Sequence, residues 1–309
     1  MNPLAWIGRH GRWWLAGGVG AGLALPALAD WLRPALPVII GFTLTMSLLR
    51  LEFRLVRDYL ARPGLLLLAV IVCLIATPLI AWALLWLLPI PAGPDQAVAL
   101  MALAPPITSA PAFALLVGLQ AEFAVAAVLA THALAPLTLP PLALALLGLA
   151  VDISATELAL RLATIVGLAF LVSAILKWLL PAAWLTRQAQ AIDGLAVIGL
   201  LAFAIAVMAG ATDILLTRPG YFFAVLGLSF IANAALQVLG AGLSWRAGPR
   251  IALTIGFMAG NCNMGLVLAS LGAEAGVDIS LYFALAQVPM YCMPLLAGPI
   301  YRRLTDPRK

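Results

Sequence analysis

The chain has 309 residues, 64% of them hydrophobic and only 9% charged, with a mean hydropathy of +1.11. A soluble domain carries about 25% charged residues, so a water-soluble globular fold is excluded, as are disorder, collagen, a coiled coil and a disulfide scaffold. The net charge of +5 comes from basic residues placed between apolar runs, which reads as membrane topology and not as a nucleic-acid surface.

In chain order, ten apolar runs of roughly 20 residues predict ten transmembrane helices. They cover about 13–31, 35–51, 64–88, 95–118, 121–148, 157–180, 191–212, 219–245, 250–272 and 279–301. No alternating strand pattern appears, which disfavours a porin-type barrel. Arg9 and Arg12 precede the first run, and Ala27-Leu28-Ala29 resembles a signal-peptidase site. The length of that run and its place in the repeat described below favour retention. After the second run, Leu51–Arg62 reads as an amphipathic interfacial segment. Cys73, Cys262 and Cys292 all fall inside apolar runs and imply no disulfide framework.

With ten spans both termini lie on one side. Fourteen basic residues fall there: Arg9, Arg12, Arg50, Arg54, Arg57, Arg62, Lys177, Arg187, Arg246, Arg250, Arg302, Arg303, Arg308 and Lys309. Only Arg33, Arg161 and Arg218 fall on the other, so both termini are expected in the cytoplasm, in a cell inner (plasma) membrane. Most tryptophans lie near run ends, where an indole suits the interface.

An internal repeat organises the runs. Arg62-Pro63-Gly64 opens the third and Arg218-Pro219-Gly220 the eighth, an offset of 156. The same offset carries Pro105, in the fourth run, onto Asn261 in the ninth, and Thr131 onto Gln287. Five spans per unit is odd, so the halves 1–150 and 151–309 are expected with inverted topology, as in secondary transporters.

The fourth and ninth runs are broken. Pro105, Pro106 and Pro111 remove backbone donors around Thr108 and Ser109, and Gly260 and Gly265 flank Asn261, Cys262 and Asn263. Irregular backbone at bilayer depth is tolerated where it lines a cavity, so these breaks are the expected binding site. Asn261, Asn263, Thr108, Ser109, Gln287, Thr131 and His132 are the candidate substrate contacts. His132 reads equally as a proton carrier and as a neutral helix contact. Asn233 and Gln237, one turn apart in the eighth run, read as interhelical hydrogen bonds, and the hydroxyls of Thr43, Thr45 and Ser47 as bonded back to their own helix. Asp193 and Asp213 read as interfacial, and no carboxylate lies near the middle of a run.

Thr43-Leu44-Thr45-Met46-Ser47-Leu48 with Glu52-Phe53, the Pro105-Pro106 break and Gly260-Asn261-Cys262-Asn263-Met264-Gly265-Leu266 together resemble the bile acid:sodium symporter family, bacterial members included. The resemblance implies an all-α membrane protein of ten helices. A core of spans three to five and eight to ten would hold two crossing broken helices, with a panel of spans one, two, six and seven. Substrates of the family are largely organic anions. The sodium ligands of the family fall on Cys73, on Ala110 or Pro111, on Met258 and on Cys262, and its tenth-span His-Asn pair on Gln287-Val288. Of these motifs Asn263 is the one matching side chain, so sodium coupling is disfavoured.

The sequence thus predicts a secondary transporter of a small organic solute, best an anion, working by alternating access, with a small-molecule substrate and the lipid bilayer as partners and no cofactor. A membrane receptor or channel on the same scaffold is the rival. Neither a charge ring nor a carbonyl filter supports a channel, and no metal-binding histidine pair or Ser-His-Asp set supports an enzyme.

Overall fold

The computed structural model describes residues 3–9, 11–50, 59, 63–147 and 153–305. The interfacial segment Leu51–Arg62, apart from Tyr59, therefore lies outside the described residues, with Glu52-Phe53, Arg54, Arg57 and Arg62. So do the division at 150/151, Arg308 and Lys309.

Among the described residues every regular element is a helix, and one antiparallel bridge, Pro106 with Cys262, is the only extended pair. Helices α1 (Pro3–Arg9), α2 (Gly11–Ala24) and α3 (Pro26–Leu32) lead into α4 (Leu36–Arg50). α5 (Pro63–Ile71) passes through a π-helical turn, Val72–Ala76, into α6 (Thr77–Leu85). α7 (Pro94–Leu103) and α8 (Ala110–Val117) are the halves of the first broken run, and α9 (Ala121–Leu147) follows. Then come α10 (Ala155–Leu179), α11 (Ala182–Arg187), α12 (Ala189–Ala206), α13 (Ala211–Thr217) and α14 (Pro219–Leu243). α15 (Pro249–Gly260) and α16 (Met264–Leu271) form the second broken run, before α17 (Val277–Leu285) and α18 (Gln287–Leu304).

Among the described residues six helices are long and apolar enough to cross a membrane: Pro26–Arg50, Pro63–Leu85, Ala121–Leu146, Ala155–Leu179, Ala189–Ala206 and Pro219–Leu243. A seventh is added when the bent pair starting at Val277 counts as one. The expected ten runs are cut shorter for local reasons. Pro26 interrupts the first, leaving α2 with 14 residues. The seventh ends at Ala206, before Gly210 takes the left-handed conformation at φ 77°. The halves of the broken runs have only 8 to 12 residues each.

Proline placement explains several starts. α3, α7, α8, α14 and α15 each carry proline in the first turn, where its missing N–H has no intrahelical partner to lose. At Pro78 the missing donor would leave a carbonyl of the preceding turn unbonded, and the chain widens there into the π turn.

Two packed groups result. α1, α2, α4, α10 and α12 pack on one another, with Met46, Leu49 and Ile192 in a small cluster of their own. The other group surrounds the fully buried Met101, Phe123, Phe257, Tyr282 and Phe283. Its closest contact joins α14 to α15. A Cβ on Gly256 would sit 2.3 Å from the Gln237 carbonyl oxygen, and one on Gly260 2.5 Å from that of Asn233. Outside both groups the surface is apolar, with Trp86, Leu137, Trp178, Ile231 and Val238 all strongly exposed, as a lipid-facing surface requires.

Candidate functional site

The two broken runs meet at their breaks. The Ile107 N–H donates to the Asn261 carbonyl at 2.8 Å, and the Asn263 N–H to the Pro105 carbonyl at 2.6 Å. Pro106 and Cys262 stand between these bonds as a non-hydrogen-bonded antiparallel pair, so the absent proline N–H costs nothing there. Each break thus satisfies backbone groups that the other leaves open, in a place with no water to do it.

Beside this crossing lies a narrow cleft of about 30 Å³. One wall is the crossing itself, with Thr108, Ser109, Asn263 and Gly265. Gln287, Met290 and Tyr291 close one end. The opposite wall is Ile40, Thr43 and Leu44 of α4 with Leu200 and Phe203 of α12. The first turns of α8 and α16 start at this cleft, so the positive ends of both helix dipoles border it.

Asn263 caps α16: its Oδ1 accepts from the Leu266 N–H at 3.2 Å. That orients the amide nitrogen toward His132, where Nδ2 and Nε2 are 3.2 Å apart. The His132 Nδ1 lies 2.9 Å from the Val128 carbonyl, which can only accept. The proton therefore sits on Nδ1, and Nε2 receives the Asn263 amide. The arrangement holds a neutral imidazole behind the cleft wall.

Thr108, Ser109, Asn263 and Gln287 are thus brought together, with His132 one bond behind them. Thr131 is not: its hydroxyl is buried and donates to the Ala127 and Val128 carbonyls of its own helix. The Asn261 side chain turns back to the Phe257 carbonyl at 2.8 Å, and its main chain serves the crossing. Two buried amide oxygens have no partner, Asn261 Oδ1 and Gln287 Oε1, and the second belongs to a cleft-lining residue. Among the helix breaks, Pro105 and Pro106 form the crossing, Pro111 starts α8, Gly260 admits α14, and Gly265 admits Ile40 and Phe203.

Sequence reasoning passed over Thr43 as a hydroxyl bonded to its own helix. It does donate to the Ile39 carbonyl at 2.8 Å, yet it also reaches the cleft, against Gly199. Nothing local announces that α4 and α12 face the breaks. Asn233 and Gln237 form the expected interhelical links, Asn233 donating to the Gly260 carbonyl at 2.6 Å and Tyr301 to Gln237, while Gln237 donates to Asn233 within α14 at 2.6 Å.

Behind the crossing the side chains are soft and apolar. Cys262 donates to the Ala259 carbonyl at 3.0 Å, Cys73 faces the Ile255 carbonyl at 4.0 Å, and Met258 is fully buried. Among the described residues no three His, Cys, Asp or Glu gather to hold a metal ion.

At the end of the cleft wall, Arg161 of α10 donates to the Ser270 and Leu271 carbonyls, both at 3.2 Å, and to Glu274 at 3.0 Å, while also bonding Glu157 at 2.6 Å. This ties the first packed group to the C-terminus of α16. The Arg161 hydrogen bond holds the Glu274 carboxyl below its ordinary range.

The sodium bile acid symporter family matches residues 37–218, more than half of the chain. The chain belongs to that family. Family membership makes it a multi-pass membrane protein of a transporter class, in agreement with its apolar helices. The symporter-family match covers Thr108, Ser109, Thr131 and His132 and stops before Asn261, Asn263 and Gln287. No curated protein matches the chain.

Proposed function

We propose that the protein is a secondary transporter of a small organic anion, working by alternating access between its two packed groups. The observation that carries this is the crossing of two broken helices beside a cleft shared by both groups. Two dipole ends and the donors of Thr108, Ser109 and Asn263 favour an anionic head. Ile40, Leu44, Phe203 and Met290 favour an apolar body, and the unpartnered Gln287 Oε1 favours a solute hydroxyl or N–H.

Ten spans in two inverted halves belong to the same reading. Helix starts at Pro63, Pro94, Ala110 and Ala121 recur at Pro219, Pro249, Met264 and Val277, which are 156, 155, 154 and 156 residues later. The basic-residue split supports an inner-membrane orientation with both termini cytoplasmic. The Arg161–Glu274 tie then stands at the outer face and must open as the two packed groups rock.

Sodium does not suit the places where the resemblance puts it. Cys73, Cys262, Met258 and Ala110 or Pro111 offer thiol, thioether and hydrocarbon, and a hard cation needs oxygen. Uptake of candidate carboxylates and sulfo-conjugates, bile acids included, into proteoliposomes tests both points. Saturable uptake should persist when sodium is replaced by potassium or choline. Steep sodium dependence would overturn the coupling, and unsaturable flux would favour a channel.

A further inference from the structure

We propose that the cytoplasmic end of the second packed group binds an anionic phospholipid. A groove of about 440 Å³ lies between α14, α15 and α18. Val238, Gly242, Leu253, Ile300 and Leu304 make it apolar, and Trp245 stands at its mouth. Val238 and Ile300 are 73% and 59% exposed, so the groove faces outward and not into the fold. Its floor holds the Tyr301–Gln237 hydrogen bond, the outer link of the chain that runs through Asn233 to the Gly260 carbonyl at the crossing.

Charge decides the occupant. Arg246 follows Trp245 in sequence, Arg303 precedes Leu304, and Arg250 lies one turn before Leu253, so each of three exposed arginines lies within three residues of one that lines the apolar slot. None of the three enters an ion pair among the described residues. Arg302, by contrast, turns to the Leu116 carbonyl at 3.5 Å. Gly248 leaves the start of α15 without a side-chain cap beside Arg250, adding backbone donors at the same rim. Acyl chains in the slot with a phosphate on the arginines satisfy both surfaces, as basic pockets at the cytoplasmic ends of membrane helices do. A second copy suits the site less well, because a two-fold contact would set the same three arginines against themselves. The leaflet named here rests on the proposed orientation; the pairing of slot and arginines does not.

The test is native mass spectrometry of the full chain in detergent, titrated with palmitoyl-oleoyl phosphatidylglycerol or its phosphatidylcholine counterpart. It reads binding alone, so its failure is separable from failure of the transport reading. Phosphatidylglycerol should bind at least about tenfold more tightly. Each Arg→Gln change at 246, 250 or 303 should weaken it about fivefold, and all three about a hundredfold, with phosphatidylcholine unaffected. A Cβ on Gly242 meets open space, so Gly242→Trp should fill the slot without disturbing the helix and abolish binding with the arginines intact. Elution profile and melting temperature verify folding, and Arg303→Gln alone serves if the triple variant does not fold. Equal affinity for the two lipids, indifference to the arginines, or undiminished binding in Gly242→Trp would each overturn the proposal. So would a dimer across the groove that phosphatidylglycerol fails to displace.

Discussion

Asn263 is the residue on which the cleft turns. It ends the second break, caps α16 through Oδ1 and presents its amide to the His132 Nε2, so one side chain joins the helix start to the ring. Replacing it by Leu removes a cap contribution of about 1 kcal/mol, which the fold should survive. The same change should weaken anion binding about ten- to a hundredfold, since a hydrogen bond to a charged group contributes about 1.5–3 kcal/mol. Thermal shift of the folded variant against candidate anions reads this directly, and unchanged affinity refutes the role. Glu274 supplies a pH dependence of its own. Its carboxyl titrates lower in the folded chain than in the unfolded one, so the stabilisation from Arg161 is complete above about pH 4.3 and fades as pH falls further. Melting temperatures of the native chain and Glu274→Gln should differ at neutral pH and converge in acid. The polar residues of the breaks were legible in the sequence because polarity at mid-run is rare. Their division of labour was not. Asn261 and Asn263 look alike in the sequence, and only the crossing makes one a backbone partner and the other a cleft wall.

At the scale of helices, proline and glycine carried most of what could be read. Helix starts at Pro63 and Pro219 and the two breaks follow from residues with restricted or unusually free backbones. Prolines do not break α9, which continues through Pro136, Pro140 and Pro141, in line with the unbroken run expected over 121–148. The spacing Gly256-x-x-x-Gly260 went unremarked, although small residues four apart are the sequence mark of close helix packing. Gly256→Ala should therefore destabilise by about 1–3 kcal/mol, because its methyl would press on the Gln237 carbonyl and the Ala241 backbone of α14. Gly227→Ala, on the same helix α14 but facing open space, should be neutral or stabilising by up to about 1 kcal/mol. Thermal unfolding of the two variants in one detergent separates contact from propensity. A loss of similar size in both would mean that the helix pair does not depend on close approach.

For the whole molecule, hydropathy and charge foretold an all-helical membrane chain but not how α4 and α12 face the breaks. That arrangement rests on contacts between residues more than a hundred positions apart, such as Ile40 against Gly265 and Thr43 against Gly199. Orientation is the whole-molecule property open to the simplest check. With Cys292 replaced by Ala, the remaining Cys73 and Cys262 are buried, so a cysteine added after Lys309 is the only accessible thiol among the described cysteines. It should be protected from an impermeant reagent in intact cells and react once the membrane is opened. Labelling from outside would reverse the assignment and show the span count to be off by one.

The crossing also imposes an order in time. Pro105 and Ile107 find their partners only in Asn261 and Asn263, some 156 residues further along the chain. At roughly 5–20 residues per second of synthesis, the first break waits about 10–30 s before the second exists. During that interval its open backbone groups have no place in hydrocarbon, so the segment between α6 and α9 must stay near water or borrow a partner. The N-terminal half therefore cannot finish folding when it is made, and a ribosome stalled before Asn261 leaves the first break without the partner that closes it.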